Sequence, residues 1–163
     1  MSSNTPVQVI NAPNTLKLRL GGGKFGGIDA AAIAKAEAAL KSLSGNFSEW
    51  MQDELTKLDA ARQAIRVSGL NAETAEGLYF RAHDLKGLGA TYEFPLVTRI
   101  AASLCKLIDD PDTRQGAPMF LVDAHIDAIR AAVRDDIKTD THPVGKVLIT
   151  ELERRVAEIA PPE

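Results

Sequence analysis

The chain has 163 residues, 19 Lys plus Arg against 22 Asp plus Glu, a formal net charge of −3, 45% apolar residues and one cysteine. A chain of this size forms one domain with a core of its own, burying roughly 68–70% of its unfolded surface, and the lone Cys105 excludes an intrachain disulfide and a cysteine-rich zinc site. The acidic balance, the lack of a Lys/Arg-rich run and the lack of any stretch of about 18 apolar residues argue against nucleic acid and membrane as partners, and a reducing, cytoplasmic setting is expected.

Aromatic residues make up only 5% of the chain while alanine is abundant, which favours close-packed helices over sheets. Residues 1–27 hold Pro6, Pro13, several Asn and five glycines between Gly21 and Gly27, and read as a flexible arm ahead of a domain over 28–160. Asp29 can cap a helix carrying Ile33, Leu40 and Leu43, stopped by Ser44-Gly45-Asn46. A second helix carries Phe47, Trp50, Met51, Leu55, Leu58 and Ile65 to about Val67 and closes at Ser68-Gly69. Asn71 caps a third from Ala72 to about Tyr92, and Pro95 forces a turn at Phe94. The fourth helix carries Leu96, Ile100, Leu104, Leu107 and Ile108 and ends at Asp109-Asp110-Pro111. After a polar loop to Pro118, a fifth shows Met119, Val122, Ile126, Ile129 and Val133. The sixth shows Val144, Leu148, Leu152, Val156 and Ile159. Amphipathic helices joined by short loops bury their stripes as an antiparallel four-helix bundle, here with additional N- and C-terminal helices.

Gly21-x-Gly23-x-x-Gly26 matches the dinucleotide-binding fingerprint in form only. A Rossmann unit needs a parallel strand after the helix, and the segment from Phe47 onward has helical periodicity instead. The run also lacks the Gly-Lys-Ser/Thr ending of a phosphate-binding loop, so a flexible linker is the better reading.

The third helix carries the informative histidine. At about 100° per residue, Leu78, Leu85, Gly89 and Tyr92 fall at roughly 180–240° from His83, so the buried stripe lies opposite the imidazole. On the side of His83 sit Gly87 and Ala90, too small to shield the ring, and Lys86, which brings an ammonium to the same face. Glycine inside a helix costs about 0.5–1 kcal/mol relative to alanine. Gly89 points to the core, where close packing explains it, whereas Gly87 points outward, where approach by another molecule would. Tyr79 and Phe80 flank this face one turn earlier, placed either for partial packing or for docking. His125 and His142 show no ligand spacing, Asp109-Asp110 reads as a helix terminus, and Cys105 falls in an apolar pattern that makes it a buried, inert thiol.

The run Ala82-His83-Asp84-Leu85-Lys86-Gly87, followed by Gly89-Ala90-Thr91-Tyr92 and the apolar helix Leu96 to Ile108, resembles the histidine-containing phosphotransfer (HPt) domains of two-component phosphorelays. The resemblance covers roughly residues 30–135 and departs from many members at Glu93, where they carry glycine. It departs again at Cys105, near where some members place a polar side chain close to the imidazole. It implies that His83 accepts a phosphoryl group, expected on Nε2, from the aspartyl phosphate of a receiver domain and passes it to another receiver or response regulator. Lys86 would offset phosphoryl charge, while Tyr79, Phe80, Gly87 and Ala90 would face the partner. Under this reading the chain binds no cofactor or metal of its own, the Mg²⁺ belongs to the receiver, and the chain is a monomeric phosphohistidine intermediate rather than an ATP-dependent kinase. Two alternatives stand beside it. One is a non-catalytic helical adaptor or receiver-binding inhibitor, and the other is the dimeric phosphoacceptor module of a histidine kinase.

Overall fold

The computed structural model describes residues 29–160, all in helices, turns and loops with no strand among them. The predicted arm over 1–27 and its glycine run lie outside the described residues. Five α-helices follow in order: α1 (Ala30–Ser68), α2 (Ala72–Leu88), α3 (Pro95–Leu107), α4 (Met119–Arg134) and α5 (Pro143–Ile159), with a 3₁₀ turn at Arg114–Gly116 before α4. The all-α bundle expected from the stripes is the observed architecture.

One expected boundary is absent, because the Ser44-Gly45-Asn46 stop does not break the chain and the first two predicted helices are the single 39-residue α1. A mid-helix glycine costs only about 1 kcal/mol, and a Cβ at Gly45 would meet nothing within 4 Å. Ile33 and Leu40 stay exposed on the N-terminal stretch of α1, as does Leu43. From Lys41 onward the chain forms one compact unit. Its core takes Met51, Leu55, Leu58 and Ile65 from α1, Leu78, Ala82 and Leu85 from α2, Leu96, Ile100 and Leu104 from α3, and Val122, Ile126 and Ile129 from α4.

The α1–α2 connection is short because Gly69 takes the left-handed φ of 80° that ends a helix tightly. Asn71 then caps α2 as predicted: its side chain accepts from the Thr74 N–H at 3.0 Å, while Thr74 Oγ1 accepts from the Asn71 N–H at 3.0 Å. The far end of α2 differs from expectation, since the helix ends at Leu88 rather than Tyr92. The chain leaves through a turn in which Phe94 N–H donates to the Gly89 carbonyl at 2.8 Å and Glu93 sits at φ 69°. This six-residue closure normally places glycine in the left-handed position. Tyr92 keeps its place on the apolar side, its ring centroid 5.8 Å from both Phe47 and Trp50.

Gly89 is fixed by close approach: a Cβ there would lie 2.7 Å from both the N and the Oγ1 of Thr98. The same Thr98 hydroxyl accepts from the Ala90 N–H at 2.7 Å, tying the residue just past the end of α2 to the first turn of α3. On α5 the buried stripe is Gly145, Ile149, Leu152 and Val156, whereas the predicted Val144 and Ile159 are exposed. The shift arises at Gly145, where a Cβ would stand 2.5 Å from the Thr139 carbonyl oxygen, so a residue with no apolar side chain marks the packed face.

Ion pairs join the helices at their margins. The buried Arg62 of α1 donates to Asp127 at 2.7 Å on α4 and to Asp59 at 3.0 Å on its own helix, and Arg99 of α3 holds Glu153 of α5 through two bonds of 2.8 Å. His125, given no role by its spacing, is fully buried. The Leu121 carbonyl can only accept, so His125 donates to it from Nδ1 at 2.7 Å, and Nε2 then accepts from the Ser103 hydroxyl at 2.9 Å. His142 caps α5, its Nδ1 accepting from the Val144 N–H at 3.2 Å.

Three expected outcomes follow from these positions. Glu93→Gly relieves the left-handed backbone and raises stability by about 1 kcal/mol in denaturant unfolding, its exposed 3.7 Å pair with Lys138 counting for little. Gly89→Ala forces α2 and α3 apart and lowers stability by about 1–3 kcal/mol in the same assay. Burial pushes the His125 imidazole below its ordinary value of 6.5, so below that pH the unfolded chain binds the proton more readily and stability falls. The thermal midpoint should therefore drop as pH is lowered from about 7 to about 5, with a shallower drop in His125→Leu.

Candidate functional site

On α2 the residues Ala75, Leu78, Ala82 and Leu85 are buried and His83 is exposed, as the wheel requires. Among the described residues, a Cβ at Gly87 would meet nothing within 4 Å, and Ala90 is exposed while its N–H is held by Thr98. The outward face therefore carries a nucleophilic ring beside a cleared strip of small residues.

At the 100° helical step, Tyr79 and Lys86 fall on one flank of His83, and Phe80 and Gly87 on the other. Phe80 is 52% exposed, and its ring centroid is 6.1 Å from that of Tyr79. Lys86 is exposed and forms no ion pair among the described residues. Asp84, the carboxylate next in sequence to His83, is paired instead with Arg81 at 3.4 Å.

Tyr79 is half-buried, with its ring centroid 6.0 Å from that of His83. Its hydroxyl donates to Asp109 Oδ1 at 3.1 Å, a bond that raises the phenol above its ordinary pKa. The guanidinium of Arg114 lies over the ring, its carbon 4.6 Å from the centroid. Asp109 and Arg114 were not legible as neighbours of the histidine. Asp109 reads from sequence only as the end of a helix, and Arg114 belongs to a polar loop without periodicity; only the fold of the 3₁₀ turn against α2 brings them to Tyr79.

Behind this flank, a groove between α2, α3 and the end of α5 is lined by Tyr79, Lys86, Cys105, Lys106 and Asp109. Burial pushes the Cys105 thiol up to about 11, with the nearby Lys86 ammonium acting in the opposite direction, so the thiol stays protonated at neutral pH and is a poor nucleophile. Among the described residues, no group of three His, Cys, Asp or Glu side chains converges as a metal ligand set, and no helix is long and apolar enough to cross a membrane.

The arrangement offers an exposed imidazole lone pair, a cation one turn away and an unobstructed approach, which together suit transfer of a group delivered by another molecule. A family model described as Hpt domain matches residues 42–136. No curated protein and no solved structure matches the chain. Hpt domains serve phosphotransfer in two-component systems and interact with receiver domains. The match takes in more than half of the chain, including all of α2 and α3 and the loop between them, and with the exposed histidine inside it the chain belongs to the Hpt domain family.

Proposed function

We propose that this chain is a phosphorelay carrier that accepts a phosphoryl group on His83 from the aspartyl phosphate of one receiver domain and passes it to a second. The observation that carries this reading is the exposed His83 on α2, opposite the buried stripe and beside open Gly87, inside the matched family region. A neutral imidazole has a free lone pair on one ring nitrogen, so attack on phosphorus requires no general base.

In the forward step the Nε2 lone pair attacks phosphorus and an N–P bond forms as the P–O bond to the aspartyl carboxylate breaks. That bond's electron pair leaves on the carboxylate, and the Nδ1–H proton remains on the phosphorylated ring or passes to water. The return step to a second receiver reverses these changes with a new aspartate as acceptor. Charge spread over the phosphoryl oxygens in the loose transition state is offset from this chain by Lys86, and Mg²⁺ is the receiver's contribution. Gly87 and Ala90 let the receiver's acidic pocket close over the ring, and Phe80 offers it an exposed apolar contact.

The test is transfer of label from a phosphorylated receiver domain with Mg²⁺, followed as acid-labile phosphate. Wild type should become labelled and His83→Gln should not; label persisting in His83→Gln would overturn the site. Retained receiver binding with no label on wild type, across several receivers, would favour the non-catalytic adaptor. Lys86→Ala should slow transfer about tenfold. Gly87→Leu should reduce it at least about a hundredfold by blocking approach, with the helical circular dichroism spectrum unchanged.

A further inference from the structure

We propose that Tyr79 is a positioning residue for His83, clamped by Asp109 and Arg114 so that its ring forms a fixed wall for the imidazole. The inference rests on His83 as phosphoacceptor and assigns how that side chain is held.

An exposed histidine on a helix exchanges between its two allowed χ1 rotamers, 180° and −60°, and only some orientations aim Nε2 at an incoming phosphorus. Productive geometry is lost with displacements of about 1 Å, so whatever restrains the ring affects the rate. Among the side chains flanking His83, Tyr79 is the one anchored at several points. Phe80 is half-exposed without a polar anchor, and Lys86 is a flexible chain with no ion pair among the described residues.

The clamp on Tyr79 comes from two other parts of the fold. Asp109, just after α3, accepts the phenol hydroxyl at 3.1 Å. Arg114, in the 3₁₀ turn and only 7% exposed, lays its guanidinium 4.6 Å from the ring centroid and donates from Nη2 to the Asp109 backbone carbonyl at 2.7 Å. Arg114 Nε has no hydrogen-bond partner among the described residues, and the aromatic ring is a principal partner of this buried cation. Tyr79, Asp109 and Arg114 thus form a closed triangle of contacts, in which the Tyr79 and Arg114 side chains are each held by the other two residues and Asp109 meets Tyr79 through its carboxylate and Arg114 through its backbone carbonyl. His83 lies one turn further along α2 at a centroid distance of 6.0 Å and an interplanar angle of 39°, within the range of aromatic pairing. A phenol already committed to Asp109 and a ring already carrying Arg114 are suited to holding a neighbour still.

The experiment uses the full chain with phosphoramidate, a small phosphoryl donor that needs no receiver. Rates of His83 phosphorylation are compared for wild type, Tyr79→Phe and Tyr79→Leu, beside NMR χ1 couplings of His83 and receiver affinities. Tyr79→Leu is expected to slow phosphorylation by phosphoramidate about tenfold and to average the couplings, two readouts that a mere loss of receiver contact would not move. Tyr79→Phe, which keeps the ring and the Arg114 contact, should recover most of the rate. Asp109→Ala should slow the wild-type background and leave Tyr79→Phe unaffected, since it acts through the phenol hydroxyl. Unchanged rate and couplings in Tyr79→Leu would overturn the proposal, as would a weakened receiver Kd with the phosphoramidate rate intact. Should Tyr79→Leu fail to fold, Tyr79→Phe combined with Arg114→Gln, which removes both anchors and keeps the ring, decides the question: averaged couplings support the clamp and couplings identical to wild type sink it. Failure of every receiver to transfer phosphate would count against the relay reading alone.

Discussion

The close approach of α2 to α3 at Gly89 is the contact on which the geometry of the site depends. With Thr98 occupying the space a Cβ would take, and its hydroxyl receiving the Ala90 N–H, the last turn of α2 is locked to the first turn of α3. That lock sets the rotational phase of α2, and phase is what makes a helix residue inward or outward. One residue of slippage turns every side chain by about 100°, enough to swing His83 toward the flank of the helix and to bring its buried neighbours toward water. Pro95 contributes by starting α3 directly after the turn.

How far this organisation is legible in the sequence differs from element to element, for physical reasons. The stripe on α2 and its Asn71 cap could be read because apolar spacing and capping are local properties. The continuity of α1 was also written locally, but in phase rather than composition. Leu40, Leu43, Phe47 and Trp50 recur at steps of three, four and three straight through Gly45, and a broken helix has no reason to keep that phase. Gly69 is the contrasting case, since there φ is 80° and glycine does end the helix. The left-handed turn at Glu93 is hidden because glutamate is not the residue that conformation favours. On α5 the packed face is marked by Gly145, which a hydrophobicity pattern passes over.

Contacts between distant residues were the part that spacing could not supply. A charged residue on a helix reads as solvated until the fold brings it a partner, as Arg62 finds Asp127 and Arg99 finds Glu153. The same holds for His125, whose burial follows from the packing of α4 on α3, where Ser103 satisfies its second ring nitrogen. At the site, the outward face of α2 was legible and the Asp109–Arg114 clamp was not, because it is assembled from three segments with no common periodicity.

Gly87 and Gly89 show how one short stretch of helix divides stability from function. Gly87 lies within α2 and incurs the propensity cost of glycine relative to alanine, while Gly89 is the cap just past Leu88. The reason for Gly89 lies inside the chain, because only a residue without Cβ admits Thr98. Gly87 has open space around its missing side chain, so nothing in the described fold calls for glycine there. Gly45 and Gly77 share those open surroundings, but Gly87 alone among them lies one turn from His83 on the same face of α2. In the phosphocarrier reading its reason lies outside the chain, in the bulk of a receiver that has to bring phosphorus within bonding distance of a ring nitrogen. A helix that presents a nucleophile to another protein must be smooth where the partner lands and tightly packed on the opposite side, and α2 meets both demands with the same residue type two positions apart.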